Sequence, residues 1–310
     1  MKPSTVEARW IEDLSVTCDA VLTIGVLDGV HVGHQHLLKT LVRRAKEIDG
    51  CSSVVTFDPH PLAVVAPDTE LCYLTTLEDR LRLIEEQGVD IVAVLHFTPE
   101  VSRMSPEEFI GFLLTHIKMV ELWVGPDFAL GCRRAGTVPA LAEIGKNKGF
   151  SVHTIPPVKV GGKMVSSTEI RGLMAQGKVK EAAKLLGRKP FLVGKVVNGF
   201  GRGREIGVPT ANLEVNPKLI IPADGVYAVY VYFDNERRQG ALSIGSRPTF
   251  DDGAVRSIEV HILDFTGELR GKTLKVEFVE RLRDEMHFPG VDALVAQIHA
   301  DVQSARQILA

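Results

Sequence analysis

His31 and His34 stand in the run T-I-G-V-L-D-G-V-H-V-G-H-Q-H, residues 23–36, with Gly25, Gly29 and Gly33 spaced through it. Imidazoles donate to oxygens that gain charge, and glycines let backbone N–H groups come close to a ligand. Before them, Val21 to Val26 is an apolar run suited to a buried strand. After them, Leu37, Leu38, Leu41 and Val42 recur at helical spacing. The histidines therefore fall at a strand-to-helix turn, where unpaired N–H groups and the positive end of the helix dipole favour an anion. A satisfied surface turn is the bland alternative, but glycine spacing, paired histidines and position after a strand together favour a phosphate corner of Gly25, Asp28, Gly29, His31, Gly33 and His34.

Other stretches offer chemistry of the same kind. T-F-D-P-H-P, residues 56–61, presents Asp58 and His60 on a proline-stiffened loop, and V-G-P-D-F-A-L-G, residues 124–131, presents Asp127 ahead of Arg133 and Arg134. In S-S-T-E-I-R, Ser166 and Glu169 have capping-box spacing, which explains half the motif. Ser167, Thr168 and Arg171 are left over, and with backbone N–H groups they suit a second polyphosphate clamp. Further on, N-G-F-G-R-G-R-E-I-G-V-P-T-A-N-L gives a glycine-rich flap with Gly201, Arg202, Gly203 and Arg204. If P-T-A-N is extended, Thr210 and Asn212 share a face, two neutral oxygen ligands for Mg²⁺ bound to ATP phosphates. In S-I-E-V-H-I-L-D, Ile258, Val260 and Ile262 face one way and Glu259 and His261 the other. G-E-L-R-G-K-T, residues 267–273, is one residue short of a P-loop and reads as a hairpin turn.

The elements that must position these residues change character along the chain. From Val21 to about Pro156, short apolar runs alternate with amphipathic helical patterns, predicting a parallel sheet with strands at 21–26, 53–57, 91–97, 121–124 and 151–155. Ligands bind at the carboxyl ends of such strands. After a short helix at 178–186 and the stop Gly187-Arg188-Lys189-Pro190, glycine turns separate β-rich runs at 191–197, 225–233, 238–245, 257–263 and 273–278. These predict a small barrel, closed by a helix over 291–309.

The 310 residues suffice for two domains, and 45% apolar with 24% charged content is that of a globular protein. A net charge of −3 argues against a general nucleic-acid binder. No segment reaches about 18 uninterrupted apolar residues, and the start lacks a signal-peptide core, so the expectation is a cytoplasmic protein without membrane contact. Cys18, Cys51, Cys72 and Cys132 lack C-x-x-C spacing and are expected as reduced, mostly buried thiols. Nothing in the sequence sets an oligomeric state.

G-V-L-D-G-V-H-V-G-H resembles the H-x-G-H-type signature of nucleotidylyl transferases, in the variant carried by bacterial bifunctional riboflavin kinase/FAD synthetases. S-S-T-x-I-R is similar to the family's second signature, and G-R-G-R-x-x-G-x-P-T-A-N-L closely resembles the riboflavin kinase signature. The resemblance covers nearly the whole chain. It implies an α/β architecture: an N-terminal Rossmann-like adenylyltransferase domain over 1–186 and a C-terminal riboflavin-kinase β-barrel with a terminal helix over 187–310. The implied chemistry is riboflavin plus ATP to FMN plus ADP, then FMN plus ATP to FAD plus pyrophosphate, both with Mg²⁺. His31 and His34 inherit the steadying of ATP phosphates, and Glu259 inherits the catalytic base from a matching E-x-H-I-L-D-F segment. Arg283, in L-R-D-E-M-H-F, belongs to a family segment that is structural or lines the flavin site. The chain departs from the family's usual residues at Val26, Leu27, Ala129 and Leu130. Those departures make a kinase that has lost adenylylation the nearest rival reading, and a flavin-binding regulator is the rival from another class.

Overall fold

Apolar runs with helical stretches between them build a parallel sheet in the first half of the chain. The computed structural model describes residues 9–198, 208–247 and 255–310, and contacts divide the chain into two units, Met1–Ser167 and Thr168–Ala310. The first unit runs β1 (Arg9–Trp10), β2 (Val16–Ile24), α1 (Val32–Glu47), β3 (Cys51–Asp58), α2 (Pro61–Val65), α3 (Leu77–Glu85), β4 (Ile91–His96), α4 (Pro99–Arg103), α5 (Pro106–His116) and β5 (Ile117–Val124). It continues with the two-residue strands β6 (Ala129–Leu130) and β7 (Gly136–Thr137), then α6 (Val138–Lys148), β8 (Ser151–Thr154) and the small hairpin of β9 (Lys159–Val160) and β10 (Lys163–Met164). Six strands form one sheet in the order β1-β4-β3-β2-β5-β8, every pair parallel. The chain leaves β2 toward β3 on one side and later returns to β5 on the other. The switch point of the sheet thus lies at the carboxyl ends of β2 and β5.

One sheet face buries Leu22, Ile24, Val55 and Phe57 against Phe109, Ile110 and Leu113 of α5. On the other, Val21 packs with Leu41 and Ala45 of α1. The far end of α1 is anchored where Arg44 donates through Nε and Nη2 to the Glu121 carboxylate of β5, at 2.9–3.2 Å. Burial pushes the Glu121 carboxyl up, but donors from Arg44 and Trp123 outweigh it and hold it below the usual range. Helix α5 starts with a capping box: Ser105 Oγ accepts from the Glu108 N–H, and Glu108 accepts from the Ser105 N–H at 2.7 Å.

The cysteines correct the sequence expectation. Cys18 and Cys51 form a disulfide, while Cys72 and Cys132 are free thiols and only half-buried. Adjacent strands explain it: Ala20 of β2 pairs with Cys51 of β3, so residues 33 apart in sequence meet across the sheet without any C-x-x-C spacing.

Helix α7 (Ser167–Ala175) leads into the second unit, followed by α8 (Val179–Leu186). The strands β11 (Phe191–Val197), β12 (Ala211–Val215), β13 (Gly225–Phe233), β14 (Glu236–Arg247), β15 (Val255–Ile262) and β16 (Thr273–Arg283) close a barrel in the order β11-β12-β15-β14-β13-β16. Because β15 and β16 are not neighbours, residues 267–273 lie on a crossing connection and not in the hairpin turn read from the sequence. Helix α9 (Val291–Leu309) packs Ala305 and Leu309 on Ala228 of the barrel.

Candidate active sites

The turn after β2 is held open by unusual backbone. Gly29 takes φ 77°, Leu27 takes 54° and Val30 takes 37°. A β-branched residue at positive φ is an outlier, and such strain accumulates at ligand loops. His31 caps α1: its Nδ1 accepts the His34 N–H at 3.3 Å, and the two rings stack with centroids 3.6 Å apart. An acceptor Nδ1 puts the proton of the neutral ring on Nε2. A Cβ at Gly33 would lie 3.1 Å from Cε1 and Nδ1 of His31, so any larger residue there would press on this stack. Gly25 is different; a Cβ there would make only ordinary contact with Leu27. Val26 and Leu27, the departures from the family pattern, are partly buried on the core and buried respectively.

Asp28 is 3% exposed and turns inward. Its carboxylate accepts the Leu74 N–H at 3.0 Å, the Thr75 N–H at 3.2 Å and the Thr75 hydroxyl at 3.3 Å. The Gly29 N–H donates to Thr75 Oγ1, and Ser167 Oγ donates 2.9 Å to the Asp28 carbonyl. Ser167, the last residue of the first unit, is thereby joined to the glycine turn. Along that helix Arg171 Nη2 lies 3.4 Å from Thr168 Oγ1, and Ser166 directly precedes the first helical residue. After β3, the Asp58–Pro59 peptide is cis and His60 caps α2 by accepting the Leu62 N–H at 3.0 Å. Asp127 is exposed in the turn after β5, and its carbonyl accepts from Arg134 at 3.1 Å. Ala129 and Leu130 form β6 against β7. Two further residues belong here and were missed in sequence: Thr75, and Arg80, whose Nη2 donates 2.7 Å to the Phe57 carbonyl at the end of β3. Their stretch T-T-L-E-D-R reads as an ordinary helix start.

In the barrel, strands distant in sequence converge. Asn212 of β12 pairs with Glu259 of β15, and Glu259 pairs on its other side with Ser243 of β14. Thr210 Oγ1 donates 3.0 Å to Glu259, and the His261 Nδ1 lies 2.8 Å from the Pro209 carbonyl, pinning the head of P-T-A-N. Thr210, Asn212 and Glu259 are therefore brought together. Arg283 is not brought to them by pairing, since β16 neighbours β11 and β13. Its Nε and Nη2 fork onto the buried Asp301 of α9 at 2.8–3.1 Å. Gly201, Arg202, Gly203 and Arg204 lie outside the described residues.

No cluster of three or more His, Cys, Asp or Glu among the described residues suits a metal ion. Thr210, Asn212 and Glu259 instead supply hard oxygen donors in one place, which fits a cation that keeps phosphate oxygens and water among its ligands.

Comparison with known proteins matches both halves. The family described as FAD synthetase covers residues 14–169, and riboflavin kinase covers 186–309. The bifunctional riboflavin kinase/FMN adenylyltransferase of Listeria monocytogenes is 37% identical over 295 residues, covering 94% of this chain and 92% of that protein. That of Escherichia coli K12 is 37% identical over 289 residues, covering 93% and 92%. A solved structure from Streptococcus pneumoniae, described as a macrolide-efflux protein, superposes with a TM-score of 0.89 at 32% identity, covering 97% of this chain and 98% of that one. In this chain, no helix among the described residues is long and apolar enough to cross a membrane. With both domains matched and relatives of one kind aligned over nearly its whole length, the chain belongs to the bifunctional riboflavin kinase/FMN adenylyltransferase family, which converts riboflavin to FMN and FMN to FAD with ATP.

Proposed function

We propose that the two reactions are divided between the two constellations, with FMN made at the barrel and FAD at the histidine corner. The observation that carries this reading is the meeting of Thr210, Asn212 and Glu259 from separate strands. Phosphorylating an alcohol requires its proton to be taken up, and Glu259 is the carboxylate at that place. The ribityl hydroxyl loses its proton to Glu259 as its oxygen bonds the γ-phosphorus and ADP leaves. Thr210 Oγ1, Asn212 and ATP phosphate oxygens would hold Mg²⁺, whose charge offsets that of the phosphates. Arg202 and Arg204, with the backbone of Gly201 and Gly203, would cover the nucleotide.

Adenylylation starts from a phosphate oxygen of FMN that is already anionic, so it needs positioning and charge stabilisation and no base. That oxygen bonds the α-phosphorus of ATP while the bond to the β-phosphate oxygen breaks and pyrophosphate departs. His31, through Nε2–H, and His34 donate to the phosphates, as do the first N–H groups of α1 with that of Gly33 among them, while Gly25 and Gly29, whose own N–H groups bond Val55 and Thr75, shape the turn that lets phosphate approach. Asp28 acts by fixing the turn. Ser166, Ser167, Thr168 and Arg171 form the second clamp, while Asp58, His60 and Asp127 face substrate. Arg283 positions the segment after β16 near flavin. We place the working boundary at Leu186–Gly187, supported by the riboflavin kinase match beginning at 186, although α7 and α8 group by contacts with the barrel. The cytoplasm, with its ATP, is the compartment in which both steps run.

Glu259→Gln tests this division. It stops FMN formation, a loss of at least about a hundredfold, while FAD formation from supplied FMN continues; chromatography of the flavins reads both. Parallel loss of both activities would contradict it.

A further inference from the structure

Arg80 is a cation buried beneath the first site, 4% exposed, and none of the roles above uses it. It stands on α3, just past the loop whose Leu74 and Thr75 hold Asp28. Its Nη2 donates to the Phe57 carbonyl, and its buried Nε has no hydrogen-bond partner. Asp28, Asp58 and Tyr73 are the ionisable groups within electrostatic reach. Burial lowers the affinity of the guanidinium for its proton, and the two carboxylates oppose that. Asp28 sits on the loop after β2 and Asp58 is the last residue of β3, so both lie at the carboxyl end of the sheet, where it presents its ligand site. ATP and FMN are polyanions, and two carboxylates without a counter-charge would repel them.

We propose that Arg80 is a positioning residue of the adenylyltransferase: its charge offsets Asp28 and Asp58 and so lets the phosphates of ATP and FMN enter the corner. This rests on the placement of adenylylation at that corner. The rival role is mechanical, with Arg80 only a peg for the Phe57 carbonyl, and two variants separate them. Arg80→Gln keeps an N–H donor for the carbonyl and removes the charge; Arg80→Lys keeps the charge and removes the fork. Charge compensation predicts that Arg80→Lys retains kcat/KM for FAD formation within about threefold of the parent. Arg80→Gln loses about tenfold or more, mainly through raised KM for ATP and FMN. FMN formation by the same preparations stays parental and serves as the control for folded protein.

Equal FAD formation by the two variants, whether high or low, overturns the charge role. If Arg80→Gln unfolds the first unit, the double variant Arg80→Gln/Asp58→Asn decides. Removing the uncompensated carboxylate restores the lost thermal transition of the first unit relative to Arg80→Gln alone, and no recovery of that transition contradicts the proposal. Failure of the underlying placement looks different: His31→Ala would then make FAD at the parental rate whatever residue 80 is.

Discussion

The His31 ring spends Nδ1 on the cap of α1 and carries its proton on Nε2, so helix geometry and donor chemistry are fixed by one side chain. Gly33 leaves room for that arrangement, because a methyl group there would stand 3.1 Å from the ring. Gly33→Ala should therefore push the ring aside by a few tenths of an ångström and lower kcat/KM for FAD formation about tenfold. Stability should hold or rise by up to about 1 kcal/mol, because alanine favours the helix that Gly33 occupies. Steady-state kinetics beside thermal unfolding checks both; a destabilised protein with parental kinetics would refute the role of the stack. Sequence spacing reveals the histidines because both sit on one turn. It does not reveal Thr75 and Arg80: Thr75 meets Asp28 across 47 residues, and Arg80 meets Phe57 across 23. Only folding of the sheet brings those contacts together. It also hides that Asp28 points inward, since an acid in a glycine turn reads equally well as a ligand-facing group.

Among the elements, β11, β13 and α9 have the ends predicted from the sequence pattern: α9 sets Asp301, Ala305 and Leu309 on one buried face, while β13, buried on both faces over Gly225–Val229, is marked by its continuous β-branched and aromatic run. The first half of β2, Val16–Asp19, lies outside the predicted strand because its four residues mix apolar and polar types and pair irregularly, with register shifts against β5 on either side of Ala20. The pairing of β12 with β15 joins residues 47 apart, Asn212 and Glu259, which no local pattern encodes. Helix α9 is fastened by its own ion pair. Asp301 receives Arg283 and also the Gln297 amide at 2.9 Å, and the last carbonyl of the helix, at Leu309, accepts from Tyr230 and Gln239. Asp301→Ala would leave Arg283 without its carboxylate and should destabilise the barrel by about 3 kcal/mol. Denaturant unfolding should show this as an earlier loss of FMN formation, with FAD formation from FMN lost no earlier than in the parent. Equal stability of variant and parent would reduce the pair to a surface contact.

For the molecule as a whole, the two units carry two chemistries that need different things. On the division proposed above, the kinase takes a proton from an alcohol and uses the Glu259 carboxylate for it, whereas the adenylyltransferase joins two phosphates and needs no base, its carboxylates Asp28 and Asp58 lying beside Arg80. The residues that differ from the family's usual pattern, Val26, Leu27, Ala129 and Leu130, are packed or strand-paired and leave the His31–His34 stack in place. If the sites act independently, each can be supplied by a different molecule. The direct test mixes Glu259→Gln with His31→Ala and feeds the mixture riboflavin, ATP and Mg²⁺. Alone, Glu259→Gln should leave riboflavin unchanged and His31→Ala should stop at FMN; together they should make FAD. A mixture that accumulates FMN without FAD, or either variant making FAD from riboflavin by itself at the parental rate, would contradict the division of labour between corner and barrel.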